Sequence, residues 1–524
     1  MTASAGVEPA PRLFFLVLTI AVCWMAWPLW ATRYLPIEDL PQHVAAIRVL
    51  HSFADPRFGF ERYFELQIFR TQYLAYYGLV DALAYLVDLE LANRLVVVMC
   101  VVATPLALLY LLEGLGRERV LALFALPLIY NAHLILGFIN FLMGIAAALF
   151  GLGLCARQCQ QATRARGLGL ALVSLFCFFC HVVPFAFLVL GSLLLALRRN
   201  VRQLARLCAP LAPALLIGLL WLAQSPAGRA TLSTVRLADR EANGVRPTFQ
   251  PAAVALHELP SWLTDVLVEP NGTRALVGFA ALLGLTLALG LVRAVYWRVT
   301  QVRQGARTAV TGREVGSRLF LRLIPLAPLA AALYFVLPTG YAWIWPIAQR
   351  FPLLALLVLL PALPRLPRRT WIVVALGLAV LCAHERIRVA RAFARFDGQE
   401  VGDFDAALAT IPEAQRVAGL IYTRGSQSVR FSPFIHYVAY YQARKGGAVM
   451  FTFADFPQSP FRFREQDRPP RVPPRWEWLP QRVRPRELAW YDYVLVRGGT
   501  VDPCAGACEL RFRRGLWSVW RRGS

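Results

Sequence analysis

YLAYYGLVDALAYLVDL, residues Tyr73–Leu89, decides how the rest of the chain is arranged. The stretch is apolar enough to enter a bilayer, yet it carries Asp81 and Asp88. If it crosses, every later loop changes sides. Arginine makes the choice, because short cytoplasmic loops of membrane proteins hold an excess of Arg and Lys. With Tyr73–Leu89 kept out of the count, five Arg-bearing loops share one side with the N-terminus. They hold Arg117 and Arg119; Arg157, Arg164 and Arg166; Arg198, Arg199 and Arg202; Arg298, Arg303, Arg307 and Arg313; and Arg365, Arg368 and Arg369. The opposite turns, around Ala132 and His181, hold no Arg or Lys. Tyr73–Leu89 is therefore expected to lie along the membrane surface.

Apolar runs extend on both sides of this stretch. They are Leu13–Ala31, Leu91–Leu112, Val120–Tyr130, Leu134–Leu154, Leu168–Leu197 (a pair, broken near His181 and Pro184), Leu207–Leu222, Leu276–Val292, Leu319–Leu337, Phe351–Leu363 and Trp371–Ala383. The expected fold is an all-α polytopic membrane bundle of about eleven crossings, followed by a small C-terminal α/β domain. Composition agrees: 57% of residues are hydrophobic and 16% charged, which excludes an ordinary soluble protein. The net charge of +24 reflects Arg in loops and membrane orientation, so no nucleic-acid partner is expected.

The expected domains are 1–383, the transmembrane part, and 384–524. Within the first, 32–90 and 224–273 form outward loops. In the second, Arg416–Tyr422, Ala448–Phe453 and Tyr491–Val496 read as strands, and Phe404–Ile411 and Pro433–Arg444 as helices. The N-terminus is expected in the cytoplasm of a bacterium, the chain in its inner membrane and the C-terminal domain in the periplasm. Cys504 and Cys508 are spaced to close a disulfide there.

The chemistry is expected in the first outward loop, YLPIEDLPQH, Tyr34–His43. Glu38 and Asp39 stand at a membrane edge between two prolines, where charge is costly unless it is used. Asp39 is placed to cap a helix beginning near Pro41. It is also placed to act as a general base or to hold a divalent metal, Mg2+ or Mn2+, against a phosphate. Glu38 is its expected helper. His43, one turn along, is placed to orient Asp39 or meet a phosphate. Asn131, His133, Asn140 and His181 converge on the same side as binding residues, against plainer readings as solvated turn residues, a helix cap or interhelical hydrogen bonds. Arg350 is the basic residue of the short outward loop Pro338–Arg350 and is placed to pair with a lipid phosphate.

An acidic pair in the first outward loop, surface helices beside it, about a dozen crossings and a C-terminal outward domain together resemble the GT-C superfamily of integral-membrane glycosyltransferases. That superfamily includes protein O-mannosyltransferases, aminoarabinose transferases and mannosyltransferases that use polyprenyl-phosphate sugars. The resemblance implies Asp39 as base or metal ligand, a polyprenyl-phosphate-linked sugar as donor and a periplasmic or lipid acceptor. The chain departs from the better-known branches: Leu-Pro-Gln-His follows Asp39, and no His-Pro-Pro stretch comes later in the loop. The other function open to this sequence is a non-enzymatic membrane carrier or envelope-assembly protein acting through its C-terminal domain.

Overall fold

The computed structural model describes residues 11–68, 71–197, 200–225, 228–229, 247–269, 272–304, 319–341, 344–473, 475–499 and 502–523. Positions 230–246 of the long loop expected over 224–273 lie outside the described residues.

Tyr73–Leu89 divides in two. Leu74–Ala84 is a helix of 11 residues. At 1.5 Å per residue it is about 16 Å long, half of what a bilayer core requires. Its Asp81 Oδ1 lies 2.8 Å from Nδ1 of His51, at the end of the helix Leu40–His51. Asp88 caps the next helix, Leu89–Gly114, by accepting from the N–H groups of Glu90 and Leu91. Both carboxylates are thus partnered, Asp81 by the end of a short helix and Asp88 by the start of a long one.

The bundle follows the apolar runs. Among the described residues, six helices are long and apolar enough to cross a membrane: Arg12–Leu29, Leu89–Gly114, Ile139–Gln160, Val201–Gln224, Arg274–Arg293 and Leu319–Val336. Shorter helices Arg164–Cys180, Val182–Ala196 and Ala348–Ala362 complete it. The chain is a multi-pass membrane protein. Ile139–Gln160 is its axis, almost wholly buried. Gly144 admits Pro184 at a distance where a Cβ would sit 3.0 Å from its ring, so neighbouring helices approach closely.

Two runs differ from expectation. Val120–Tyr130 is a 3-10 segment, Arg119–Leu128, with Pro127 inside it. Leu134–Leu154 is not continuous: Ala132–Leu136 ends at Gly137, in the left-handed region at φ +91°, and a new helix starts at Ile139. Asn140 is therefore in the first turn of its helix.

The boundary expected at 383/384 falls within a single helix, Arg368–Arg395. Its 28 residues outlast the bilayer core by about 12 Å and carry the chain into the C-terminal part. There five strands form a sheet of order β3-β2-β5-β7-β6: β2 (Arg416–Ile421), β3 (Ala448–Val449), β5 (Tyr493–Arg497), β6 (Cys508–Arg514) and β7 (Trp517–Arg522). β2 runs parallel to β3 and β5; β7 runs antiparallel to β5 and β6. Cys504 and Cys508 are disulfide-bonded at the start of β6.

This sheet does not stand apart from the first loop. β1 (Phe64–Leu66) pairs antiparallel with β4 (Phe461–Phe463). Arg444, in the helix Ala439–Lys445, forms a bidentate pair with Glu90 at 2.6 and 3.0 Å and donates to the Tyr34 hydroxyl at 2.7 Å. Gln42 donates to the Phe451 carbonyl, and Arg48 to that of Ala443. The loop that carries the acidic pair and the C-terminal sheet are packed as one layer on the end of the bundle.

Candidate active site

The acidic pair is held by backbone. The Glu38 N–H donates to the Ile135 carbonyl at 2.8 Å, and the Asp39 N–H to that of Leu136 at 3.1 Å. Gly137 follows directly, and a Cβ there would lie 2.8 Å from the Asp39 Cβ. His43 closes the other side. Its Nε2 donates to the Gly137 carbonyl at 3.0 Å, and its Nδ1 accepts from the Tyr77 hydroxyl at 3.1 Å. Burial lowers the His43 pKa to about 4, so the ring is neutral at pH 7. His43 is expected to orient Asp39 or meet a phosphate; in the structure both its nitrogens are engaged by Tyr77 and Gly137, and neither touches Asp39. It fixes the Gly137 corner instead.

Asp39 begins the helix Leu40–His51, but its side chain makes no capping bond. Pro41 removes one N–H from the first turn, which lessens the need for a cap. The carboxylate instead meets His436, with Nε2 and Oδ1 3.3 Å apart.

Glu38 is different from its neighbour. It is buried, and its Oε2 accepts from the Ser432 N–H at 2.8 Å. Burial first, and then the nearby Asp39 charge, push its pKa up to about 8. Among the described residues, the one cluster of three or more metal-ligating side chains is Asp502, Cys504 and Cys508, away from Asp39, and its two sulfurs are bonded to each other. Among the described residues, no third metal-ligating side chain joins the acidic pair in such a cluster.

The raised pKa has a stability consequence. Below pH 4.5 Glu38 is neutral in both folded and unfolded chains, and its burial costs nothing electrostatically. Between pH 4.5 and about 8 the unfolded chain ionises first, so stability is lost as pH rises. Glu38→Gln is expected to remove that slope. Thermal unfolding in detergent will show the variant gaining on wild type between pH 5 and 8, by on the order of a few kcal/mol. Parallel curves would mean that Glu38 ionises normally in the folded protein.

A cavity of about 640 Å³ opens between the bundle end and the C-terminal layer. Glu38, Asp39, His43, Asn140, His181 and Arg350 line it, together with Gln72 and His436. The rest of its wall is mainly aromatic and aliphatic, including Tyr73, Phe141, Trp345, Phe451, Phe453 and Trp478. Six of its lining residues have a buried polar atom without a partner: Gln72 Oε1, Asn140 Oδ1, His181 Nε2, Trp221 Nε1, Arg350 Nε and His436 Nδ1. His181 Nδ1 accepts from the Val183 N–H at 3.1 Å, so Nε2 carries the ring proton and is a donor. The Arg350 guanidinium sits over Phe138 and Phe141, 5.6 and 6.0 Å from the ring centres, with no carboxylate at ion-pair distance among the described residues.

Asn131 and His133 are not among the lining residues, nor are they solvated turn residues; both are buried. Asn131 caps Ala132–Leu136, accepting from the Leu134 N–H and donating to the Leu128 carbonyl. His133 Nε2 donates to the Gln349 carbonyl at 3.1 Å. Through that bond the segment that holds Asp39 is tied to the residue before Arg350. They brace the wall and do not face the cavity.

Sequence reading missed Gln72, Gly137 and His436. Gly137 carried a local signal, a glycine between two apolar helical stretches. Gln72 and His436 carried none, because only the folded chain shows what they face.

No family model matches the chain, and no curated protein matches it. Solved structures similar to it include ArnT from Cupriavidus metallidurans in the apo state, with TM-score 0.46, and ArnT from Cupriavidus metallidurans bound to undecaprenyl phosphate, with TM-score 0.44. Each is 13% identical, and each comparison covers 98% of this chain and 98% of the other.

Proposed function

We propose that the protein is a membrane glycosyltransferase that moves a sugar from a polyprenyl-phosphate donor to a periplasmic or lipid acceptor. The observation that carries this reading is the set of buried, unpartnered polar atoms in an otherwise apolar cavity. Leaving such an atom unsatisfied costs about 1–3 kcal/mol. Arg350 and His181 offer donors, and Gln72 Oε1 and Asn140 Oδ1 offer acceptors. A phosphate bearing a hydroxylated ring satisfies both kinds, and the aromatic and aliphatic walls suit the start of an isoprenoid chain.

In this reading Asp39 takes the proton of the acceptor hydroxyl. The acceptor oxygen bonds to the anomeric carbon of the sugar as that carbon's bond to the phosphate oxygen breaks. The electron pair leaves with the polyprenyl phosphate. Arg350 faces that growing charge, and the His181 Nε2–H hydrogen-bonds to it. Asn140 and Gln72 orient the ring. The orientation expected from the Arg count puts this cavity at the periplasmic face.

Titration of purified protein with undecaprenyl phosphate tests the pocket. Wild type is expected to bind saturably, and Arg350→Ala to bind roughly 10- to 100-fold more weakly, the loss of one charge-assisted contact in a desolvated site. Binding by neither form would favour the envelope-assembly reading and turn attention to the C-terminal domain's surface.

A further inference from the structure

His436 belongs to the C-terminal domain, 397 residues after Asp39 (436 − 39). Its surroundings are arranged to bring it to that carboxylate. The ring lies flat against Phe451, with centroids 4.7 Å apart and planes 7° from parallel, so the imidazole cannot swing freely. Nε2 stands 3.3 Å from Asp39 Oδ1, while Nδ1 is buried with no hydrogen-bond partner. Asp39 is its one polar contact among the described residues.

The segment that delivers His436 is also fixed. Ser432, four residues earlier, is gripped by Glu38. Before it, Phe431 has φ +70°, a conformation that a bulky side chain rarely adopts. Neighbouring contacts hold that turn: the Arg430 N–H donates to the Val266 carbonyl at 2.9 Å, its guanidinium pairs with Asp265 at 2.6 Å, and the Phe431 ring packs on Trp262. A backbone conformation this unfavourable persists where several contacts require it, and such positions cluster at functional sites. Each acid of the pair thus meets a residue of the same C-terminal segment, Glu38 the backbone of Ser432 and Asp39 the ring of His436.

We propose that His436 is a positioning residue for Asp39, so that the C-terminal domain completes the active site and is not an appended module. Nε2–H holds Oδ1 and leaves Oδ2 for the acceptor hydroxyl. The imidazole fixes the direction of the carboxylate; the proton from the acceptor stays on Asp39. The inference rests on the glycosyltransferase reading for its catalytic meaning, but the pairing itself can be measured without turnover.

The experiment compares the full-length protein with His436→Leu, His436→Gln, Asp39→Asn and the Asp39→Asn/His436→Leu double variant in nanodiscs. Release of undecaprenyl phosphate from undecaprenyl-phosphate-linked sugars, undecaprenyl phosphate binding and melting temperature are read for each. His436→Leu is expected to lower kcat roughly 10- to 100-fold, as lost orienting partners do. The donor KM and the Kd for undecaprenyl phosphate should stay within about twofold, because Arg350 is untouched. His436→Gln, which keeps an N–H near the Nε2 position, should restore much of the loss. The double variant should be no slower than Asp39→Asn alone, since the two side chains act as a unit. Wild-type kcat in His436→Leu, equal losses in Leu and Gln, or losses that multiply would overturn the proposal. If wild type turns over no donor, the glycosyltransferase reading fails, and the melting temperatures decide the pairing. Non-additive shifts would keep the Asp39–His436 contact, and additive shifts would remove it too.

Discussion

Asp39→Asn is expected to slow sugar transfer by two to four orders of magnitude or so while leaving the protein folded and able to bind undecaprenyl phosphate. Asn has the shape of Asp but cannot take a proton from a hydroxyl at neutral pH. Removal of a general base costs about 100- to 10,000-fold. Few substitutions at a half-buried site leave the rest of the structure so little disturbed. The Asp39 side chain makes no capping bond, and its main-chain N–H to the Leu136 carbonyl is indifferent to the change. An amide in place of the carboxylate also removes a negative charge from the cavity, so affinity for an anionic lipid phosphate should hold or rise. Release of undecaprenyl phosphate from its sugar-linked forms, followed by mass spectrometry, gives the rate, and a melting curve gives the control. Full turnover by the Asn variant would place the base elsewhere.

The parts of this arrangement legible in the sequence are those that depend on neighbours in the chain. Most apolar runs announced their helices, and Tyr73–Leu89, which the Arg count leaves out of the crossings, holds an 11-residue helix paired through Asp81 to His51. The acidic pair stood out because charge beside a membrane needs a reason. Asp39, Asn140, His181 and Arg350 do share one cavity. What the sequence could not carry is direction. Asn131 and His133 sit a few residues from the acid-binding corner yet point into packed wall, against Leu128 and Gln349. The hairpin β6–β7 was hidden by its own charge. CELRFRR and WSVWRR carry Arg runs that break the alternation expected of strands, because β6 is an edge strand largely open to solvent. Nothing local links residue 39 to residue 436, so the approach of the C-terminal segment to the acidic pair was legible only in three dimensions.

Gly137→Ala is expected to be nearly as damaging as loss of the carboxylate, although residue 137 supplies no side chain to the chemistry. At φ +91° an L-residue is strained by about 1–2 kcal/mol. The added methyl would stand 2.8 Å from the Asp39 Cβ and 3.0 Å from its nitrogen. That nitrogen is bonded to the Leu136 carbonyl, and the Gly137 carbonyl is bonded to His43, so neither side can give way freely. Overpacking of this kind costs a further 1–3 kcal/mol or so. Relief by a shift of the acid loop would carry Asp39 with it, and a displacement near 1 Å costs about 100-fold in rate. Gly78→Ala is the matching control. Gly78 lies inside the helix Leu74–Ala84, and a methyl added there would meet no heavy atom within 4 Å, so the same change should stabilise by roughly 0.5–1 kcal/mol. The two variants should therefore move the melting temperature in opposite directions, and only Gly137→Ala should lower turnover. If Gly137→Ala melted and turned over like wild type, the corner at Gly137 would not be what holds Asp39 in place. The carboxylate would then owe its position to His436 alone.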